Sequence, residues 1–308
     1  MSWIFLTDTQ AWKLKKPSKF DHLDLRSTEA RRRNCHEEVR LNRRLAPDVY
    51  RGVVPLTVSD GAKREPVRAK PQARLQLDEA GIIDDWLICM RRLPADRMLD
   101  QAIEKKTWSD EDARKVGTVL ARFYSTAAPF PITTEVYVER FMDELRSSHD
   151  ELMKQEQALS GELIESTISG ALTFIDKHFD LLDRRVRAGK IIEGHGDLRP
   201  EHICLEDKPV IIDCLEFNRN LRIVDSASEL MFLRLECERL GAPAAGKLVF
   251  RTYCEQTGDA PPEDVLEFYR IYHAAVRAKV AIWHLQDHAI RNGEKWIARA
   301  EQYLEMSA

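Results

Sequence analysis

The stretch His195–Phe217, HGDLRPEHICLEDKPVIIDCLEF, sets two acids, Asp197 and Asp213, on short apolar segments sixteen residues apart, with His202 between them. Moving a phosphoryl group requires an acid that orients or accepts the proton of the incoming hydroxyl. It also requires a carboxylate that holds the cation gathering the nucleotide phosphates. An acid in a loop followed by an acid at a strand end separates those roles. Together with His195, the same residues could also serve as the ligands of a metallohydrolase, so residue type alone leaves both chemistries open.

Upstream, WIFLTD, AWKLKK, RGVVPLTV and WLICMRRL have the length and the β-branched and aromatic content of strands. Between the second and third lies STEARRRNCHEEVRLNRRLAP, a helix that opens on a Ser/Thr cap and closes before Pro47. The polar run SDGAKREPVRAKPQARLQLDEAG, rich in breakers, reads as a surface hairpin or loop. From about residue 107 the period becomes helical, starting with a capping signature in TWSDEDARKV. The quoted stretch interrupts the helices with two short β segments, and helices resume at DSASELMFLRLECERLG. The expected class is α+β, with a small β-rich lobe over residues 1–93 and a helical lobe over residues 94–308.

Composition restricts the partners. The 308 residues are 44% apolar and 32% charged, with a formal net charge of -4, which gives no general attraction to nucleic acid or anionic membranes. The six cysteines form no C-x-x-C pair and read as reduced thiols. No apolar run has bilayer-spanning length and no secretory signal stands at the start, which implies a cytoplasmic protein. Arg31, Arg32, Arg33, Arg40, Arg43 and Arg44 alternate with Glu29, Glu37 and Glu38 and read as a solvated helix exterior. His284 and His288 share a helical face but lack a third metal ligand.

HGDLRPEHI resembles the catalytic loop of the protein-kinase-like fold, H-x-D-x-x-x-x-N, and IIDCLEF resembles its metal-binding segment. The glycine after His195, the form IIDCLEF and the later RIVDSASEL resemble the aminoglycoside and choline phosphotransferase branch more than the protein kinases. FLTDTQAWKLKKP, RLNRRLAP and HGDLRPEHI resemble a bacterial group of aminoglycoside-phosphotransferase-like proteins, some of which carry an additional P-loop domain. No P-loop motif occurs in these residues.

The resemblance implies a two-lobed kinase-like fold that moves the γ-phosphate of ATP to a hydroxyl of a small molecule, with magnesium, or alternatively manganese, as cofactor. It assigns Asp197 as acid/base, Asp213 as principal metal ligand, and His195 and Asp225 as supports of the loop. AWK matches the strand whose lysine, Lys13, contacts nucleotide phosphates, and the following helix supplies its partner. Glu38 is preferred over Glu37 because it shares a helical face with Leu41 and Leu45. ICMRRLP reads as the strand entering the hinge, so Met90 and Arg91 would meet adenine. Arg199 either approaches the transferred phosphate or is solvated; Glu216 either assists Asp213 or caps a turn.

This sequence departs from the pattern in two places. His202 replaces the asparagine, and imidazole suits manganese or zinc better than magnesium. The Gly-rich strand pair is missing, so the small lobe reads as truncated at its start, and either MSWIFLTD forms a minimal lid or the phosphate contacts come mainly from Lys13 and the helical lobe. A catalytically impaired nucleotide-binding module therefore stays open as a second reading.

Overall fold

The computed structural model describes residues 2–20, 23–58, 82–286 and 293–307. The polar run 59–81 and His288 lie outside the described residues. The chain divides into two units, Met1–Arg97 with Val210–Leu221, and Met98–Pro209 with Arg222–Ala308. Segment Val210–Leu221, downstream of the Asp197 loop, thus belongs to the first unit.

The first unit is built on an antiparallel sheet. Its strands are β1 (Ser2–Leu6), β2 (Gln10–Lys15), β5 (Tyr50–Val58) and β6 (Ile82–Arg91), in the order β1-β2-β6-β5. A small ribbon, β3 (Lys19–Phe20) with β4 (Leu23–Asp24), leads to helix α1 (Thr28–Asn42). Alternation along β2 decides its two faces. Trp12 and Leu14 pack with Leu87 and Cys89 of β6 and with Val54 and Leu56 of β5, while Lys13 and Lys15 point the other way. Ser27 caps α1 by accepting the Ala30 N–H at 3.2 Å.

The helix buries Cys35, Glu38, Leu41 and Asn42. Its arginines divide into two groups. Arg32, Arg33 and Arg40 are exposed, as the charge pattern predicts. Arg31 is buried instead: it chelates Asp85 at 2.8 and 2.9 Å and donates to the Leu25 and Arg26 carbonyls. Arg43, itself exposed, and half-buried Arg44 also reach back, onto Tyr50 O and Leu41 O respectively. A guanidinium with five donors can lock a helix to a strand and a loop together, which charge spacing does not reveal.

The second unit is helical, with α2 (Leu99–Glu104), α3 (Asp110–Thr126), α4 (Thr134–Met153), α5 (Gly161–Lys177) and α6 (Phe179–Arg187). Strand β7 (Ile191–Glu193) follows, then α7 (Ser226–Arg239), α8 (Pro243–Thr257), α9 (Glu263–Trp283) and α10 (Gly293–Glu305). The core lies among α4, α5, α7, α9 and α10. There Phe141 meets Tyr137, Phe268 and Tyr272 edge-to-face at centroid distances of 4.8 to 5.1 Å. The capping box read from the sequence is present, with Ser109 and Asp112 exchanging hydrogen bonds at the start of α3.

The class is α+β, with a small antiparallel-sheet unit and a larger helical unit, as the sequence predicts. All six cysteines are free thiols, five of them buried. No helix among the described residues is long and apolar enough to cross a membrane.

Candidate active site

In the first unit, Lys13 is ion-paired with Glu38 and donates to Asp213, each at 2.8 Å. Glu38, fully buried, is the α1 acid that reaches the lysine, whereas Glu37 pairs with Arg40 at the surface. Lys15, two residues on and facing the same way, is ion-paired with both Glu38 and Glu216. Two ammonium groups therefore share three carboxylates. Burial alone would pull the Lys13 amine down, but Glu38, Asp213 and Glu216 outweigh it and hold the pKa well above its ordinary value. Lys15 is raised in the same way by Glu38 and Glu216 against burial. Both amines stay cationic.

Asp213 sits in the left-handed region, with φ at +61°. For a non-glycine residue such a conformation costs on the order of 1–3 kcal/mol and persists only where its surroundings fix it, although Asp tolerates it better than most. The surroundings here are explicit. The Asp213 N–H donates to Tyr50 Oη at 3.2 Å, and the Cys214 N–H donates to Asn42 Oδ1 at 2.9 Å. Asn42 also donates to the Glu38 carbonyl, so one side chain ties the end of α1 to the turn that carries Asp213.

Tyr50 and Asn42 are the positioning residues that sequence reading missed; only their place beside an apolar helix end hinted at burial. Met90 and Arg91 lie in β6, opposite Ala11 and Gln10. The Arg91 N–H is donated to Val49 O and its guanidinium to Asp48.

In the second unit, β7 pairs with Ile223–Asp225 and delivers the chain to the loop that begins at Gly194. A Cβ on Gly194 would come within 2.7 Å of Glu229 Oε2 and Val224, and Gly196 has φ +85°. Both positions need glycine, for close approach and for handedness. The loop backbone is held by Glu229, a buried residue in the first turn of α7. It accepts the N–H groups of His195 at 2.8 Å and Gly196 at 2.5 Å, while Tyr124 Oη donates to it at 2.7 Å.

Glu229 is the brace that the sequence reading assigned to Asp225. Asp225 instead caps α7 through Ala227 N–H and lies in a buried cluster, bonded to Arg185 Nε and Nη2 at 2.7 Å and to Tyr269 at 2.9 Å. Its position at the α7 N-terminus explains the difference: an acid there is the natural cap, and the first turn, four residues on, supplies the acid that faces the loop.

His195 is fully buried, and its Nδ1 accepts the Asp197 N–H at 3.3 Å. His202 Nδ1 donates to the Asp197 carbonyl at 2.8 Å, and its Nε2 faces Arg199 Nη2 at 3.3 Å. Both imidazole nitrogens of His202 are thus engaged within the loop. Arg199 spans the loop acids, with Nε on Asp197 at 2.9 Å and Nη1 on Glu201 at 2.7 Å. It is mostly covered and anchored, not a freely solvated side chain.

For a magnesium-bound nucleotide, the fitting donor is the Asp213 carboxylate, which is hard, anionic and 47% exposed. Glu216 is neutralised by Lys15 and 10% exposed, and His202 has no nitrogen to spare, so neither side chain is arranged as a ligand. Among the described residues, no group of three or more His, Cys, Asp and Glu side chains is placed to hold a metal ion unaided. A cation completed by nucleotide phosphates and water needs no such group.

No protein-family model matches the chain. It is 31% identical over 280 residues to the uncharacterized protein Rv2004c of Mycobacterium tuberculosis, covering 90% of this chain and 52% of that protein. The uncharacterized protein Mb2027c of Mycobacterium bovis matches with the same figures. The chain spans about half the length of the curated relatives it matches. Among solved structures, a GDP complex of aminoglycoside 2′-phosphotransferase-IIIa superposes with a TM-score of 0.51 at 14% identity, covering 99% of this chain and 88% of that one. The chain therefore has the protein-kinase-like fold of the aminoglycoside phosphotransferases.

Proposed function

We propose that the protein is an ATP-dependent phosphotransferase that moves the γ-phosphate to a hydroxyl of a small molecule. The observation that carries this reading is the Lys13 amine shared between buried Glu38 and exposed Asp213. An ammonium kept cationic and aimed by a buried acid suits nucleotide phosphates, and a neighbouring exposed carboxylate suits the accompanying cation. Magnesium, when bound with the nucleotide, would neutralise phosphate charge as it shifts toward the leaving group.

In this proposal Asp197 receives or orients the hydroxyl proton. Its backbone is fixed on both sides, by His195 Nδ1 at the N–H and by His202 Nδ1 at the carbonyl. His202 thus positions Asp197. Arg199, held on Asp197 and Glu201, is placed to neutralise an arriving phosphoryl oxygen once those pairs loosen. Acceleration would come mainly from positioning and charge neutralisation.

One observation favours the second reading, a nucleotide-binding module without turnover: Arg199 occupies one oxygen of the carboxylate that must accept the proton. Radiolabelled γ-phosphate transfer to a panel of sugars, amino alcohols and protein hydroxyls separates the two. The proposal expects transfer that Asp197→Asn reduces by roughly a hundredfold or more. Nucleotide binding without transfer to any acceptor would favour the module.

A further inference from the structure

Behind the Asp197 loop, α7 and α9 carry a charge cluster that the chemistry above does not use. Glu236 on α7 is fully buried and accepts from three donors: Arg239 Nε at 2.8 Å, Arg277 Nε at 3.0 Å and Tyr303 Oη at 2.6 Å. Two guanidinium groups thus share this one carboxylate. Arg277 is set between rings, 5.5 Å from the centroid of Phe232 and 5.7 Å from that of Tyr303. Its side chain remains 16% exposed. A guanidinium fixed at Nε and stacked on aromatic faces has lost its rotational freedom before any ligand arrives, which makes it a pre-organised oxyanion receptor.

The charge also has a direction. Burial lowers the Arg277 pKa, but Glu236, Tyr303 and Asp197 together raise it, so the guanidinium lies within the field of the proposed catalytic acid. The two are not ion-paired; Asp197 has Arg199 as its partner, and Arg199 also holds Glu201. Glu201 in turn contributes to raising Arg239. A ligand able to bridge this separation would offer a hydroxyl to Asp197 and a negative group to Arg277. A cationic acceptor would meet a fixed positive charge there.

We infer that Arg277, supported by Arg239 and Glu236, recognises an oxyanion on the phosphate acceptor, so that the acceptor is a hydroxyl compound already bearing a phosphate ester or a carboxylate. The inference rests on the phosphotransferase reading of Asp197. It makes Arg277 a specificity-determining residue.

The test is calorimetric binding to the full chain at low salt, using matched probes: glucose 6-phosphate against glucose and glucosamine, and glycerate against glycerol. The anionic member of at least one set should bind about tenfold or more tighter than its neutral partner, the value of one charge-assisted contact, with glucosamine weakest. The set that responds identifies phosphate or carboxylate as the group. Arg277→Met should abolish the preference and Arg277→Lys should retain part of it.

Equal binding of charged and neutral probes, no binding by any anionic probe, or a preference that survives Arg277→Met would overturn the inference. Should Arg277→Met fail to fold, displacement of the bound anionic probe by inorganic phosphate in the wild-type protein decides, and no displacement overturns it. Binding of ADP to the same preparation is measured in parallel. Intact ADP binding with indifferent acceptors sinks this inference alone, whereas loss of ADP binding sinks the phosphotransferase reading beneath it.

Discussion

Each unit contains a buried ion cluster, and the two clusters are built differently. In the second unit, Arg185 is clasped by Asp225 and Asp259, both almost fully buried, and Tyr253, Tyr269 and Lys190 complete their coordination. Every charge is met within the fold. In the first unit, Lys13 and Lys15 face Glu38, Glu216 and Asp213, leaving one negative charge in excess, and Asp213 is half exposed in a left-handed conformation. A closed cluster holds elements together, whereas an open one with a strained, exposed carboxylate is arranged to meet something else.

Breaking the closed cluster should have the largest effect on stability. Arg185→Met leaves buried Asp225 without a cation and Asp259 with only Lys190 at 3.4 Å, and is expected to cost about 3–5 kcal/mol in denaturant unfolding. A loss below about 1 kcal/mol would mean that solvent reaches the cluster. Glu38→Gln in the open cluster strips two buried ammonium groups of their shared acid, with an expected loss of roughly 3 kcal/mol and weakened nucleotide binding. Unchanged stability there would show that Glu216 and Asp213 suffice for both lysines.

Protonation sharpens the contrast. The raised Lys13 and Lys15 support the first unit fully below their ordinary value of 10.5, and that support is lost as pH rises through their higher folded values. In the second unit burial pulls His273 down to about 4, so the unfolded chain takes up its proton first and stability declines as pH falls from 6.5 toward 4. Asp259, held below its ordinary value by Arg185 and Tyr253 against burial, adds a loss at still lower pH. Hydrogen exchange resolved by segment should therefore find α7 to α9 opening first in acid and the β2–α1 region opening first in alkali. The reverse order would contradict these assignments.

The smallest expected effect on stability is at the open end. Asp213→Asn keeps a residue tolerant of positive φ and removes only a half-exposed charge, so stability should change by less than about 1 kcal/mol.

Much of this was legible from sequence, for identifiable reasons. Period-2 alternation in AWKLKK put Lys13 and Lys15 on one face of β2, and the spacing of Glu38, Leu41 and Leu45 put the correct acid on the buried face of α1. Hydrogen bonds that join distant segments left no such trace. Glu229, rather than Asp225, braces the loop; His202 is consumed by the Asp197 carbonyl; and Arg31 is buried on Asp85. In each case a side chain with several donors or acceptors is decided by partners far away in the chain. Likewise, Val210–Leu221 follows the Asp197 loop in sequence yet belongs to the sheet unit, because Asn42 and Tyr50 hold it there.

The most direct test is calorimetric titration of ADP with and without magnesium, in the wild-type chain and in Asp213→Asn. If Asp213 is the open end that meets the nucleotide-bound cation, magnesium should strengthen ADP binding about tenfold or more in the wild-type protein and leave the variant unaffected. An equal magnesium effect in both proteins, or no ADP binding to the wild-type chain, would contradict the account.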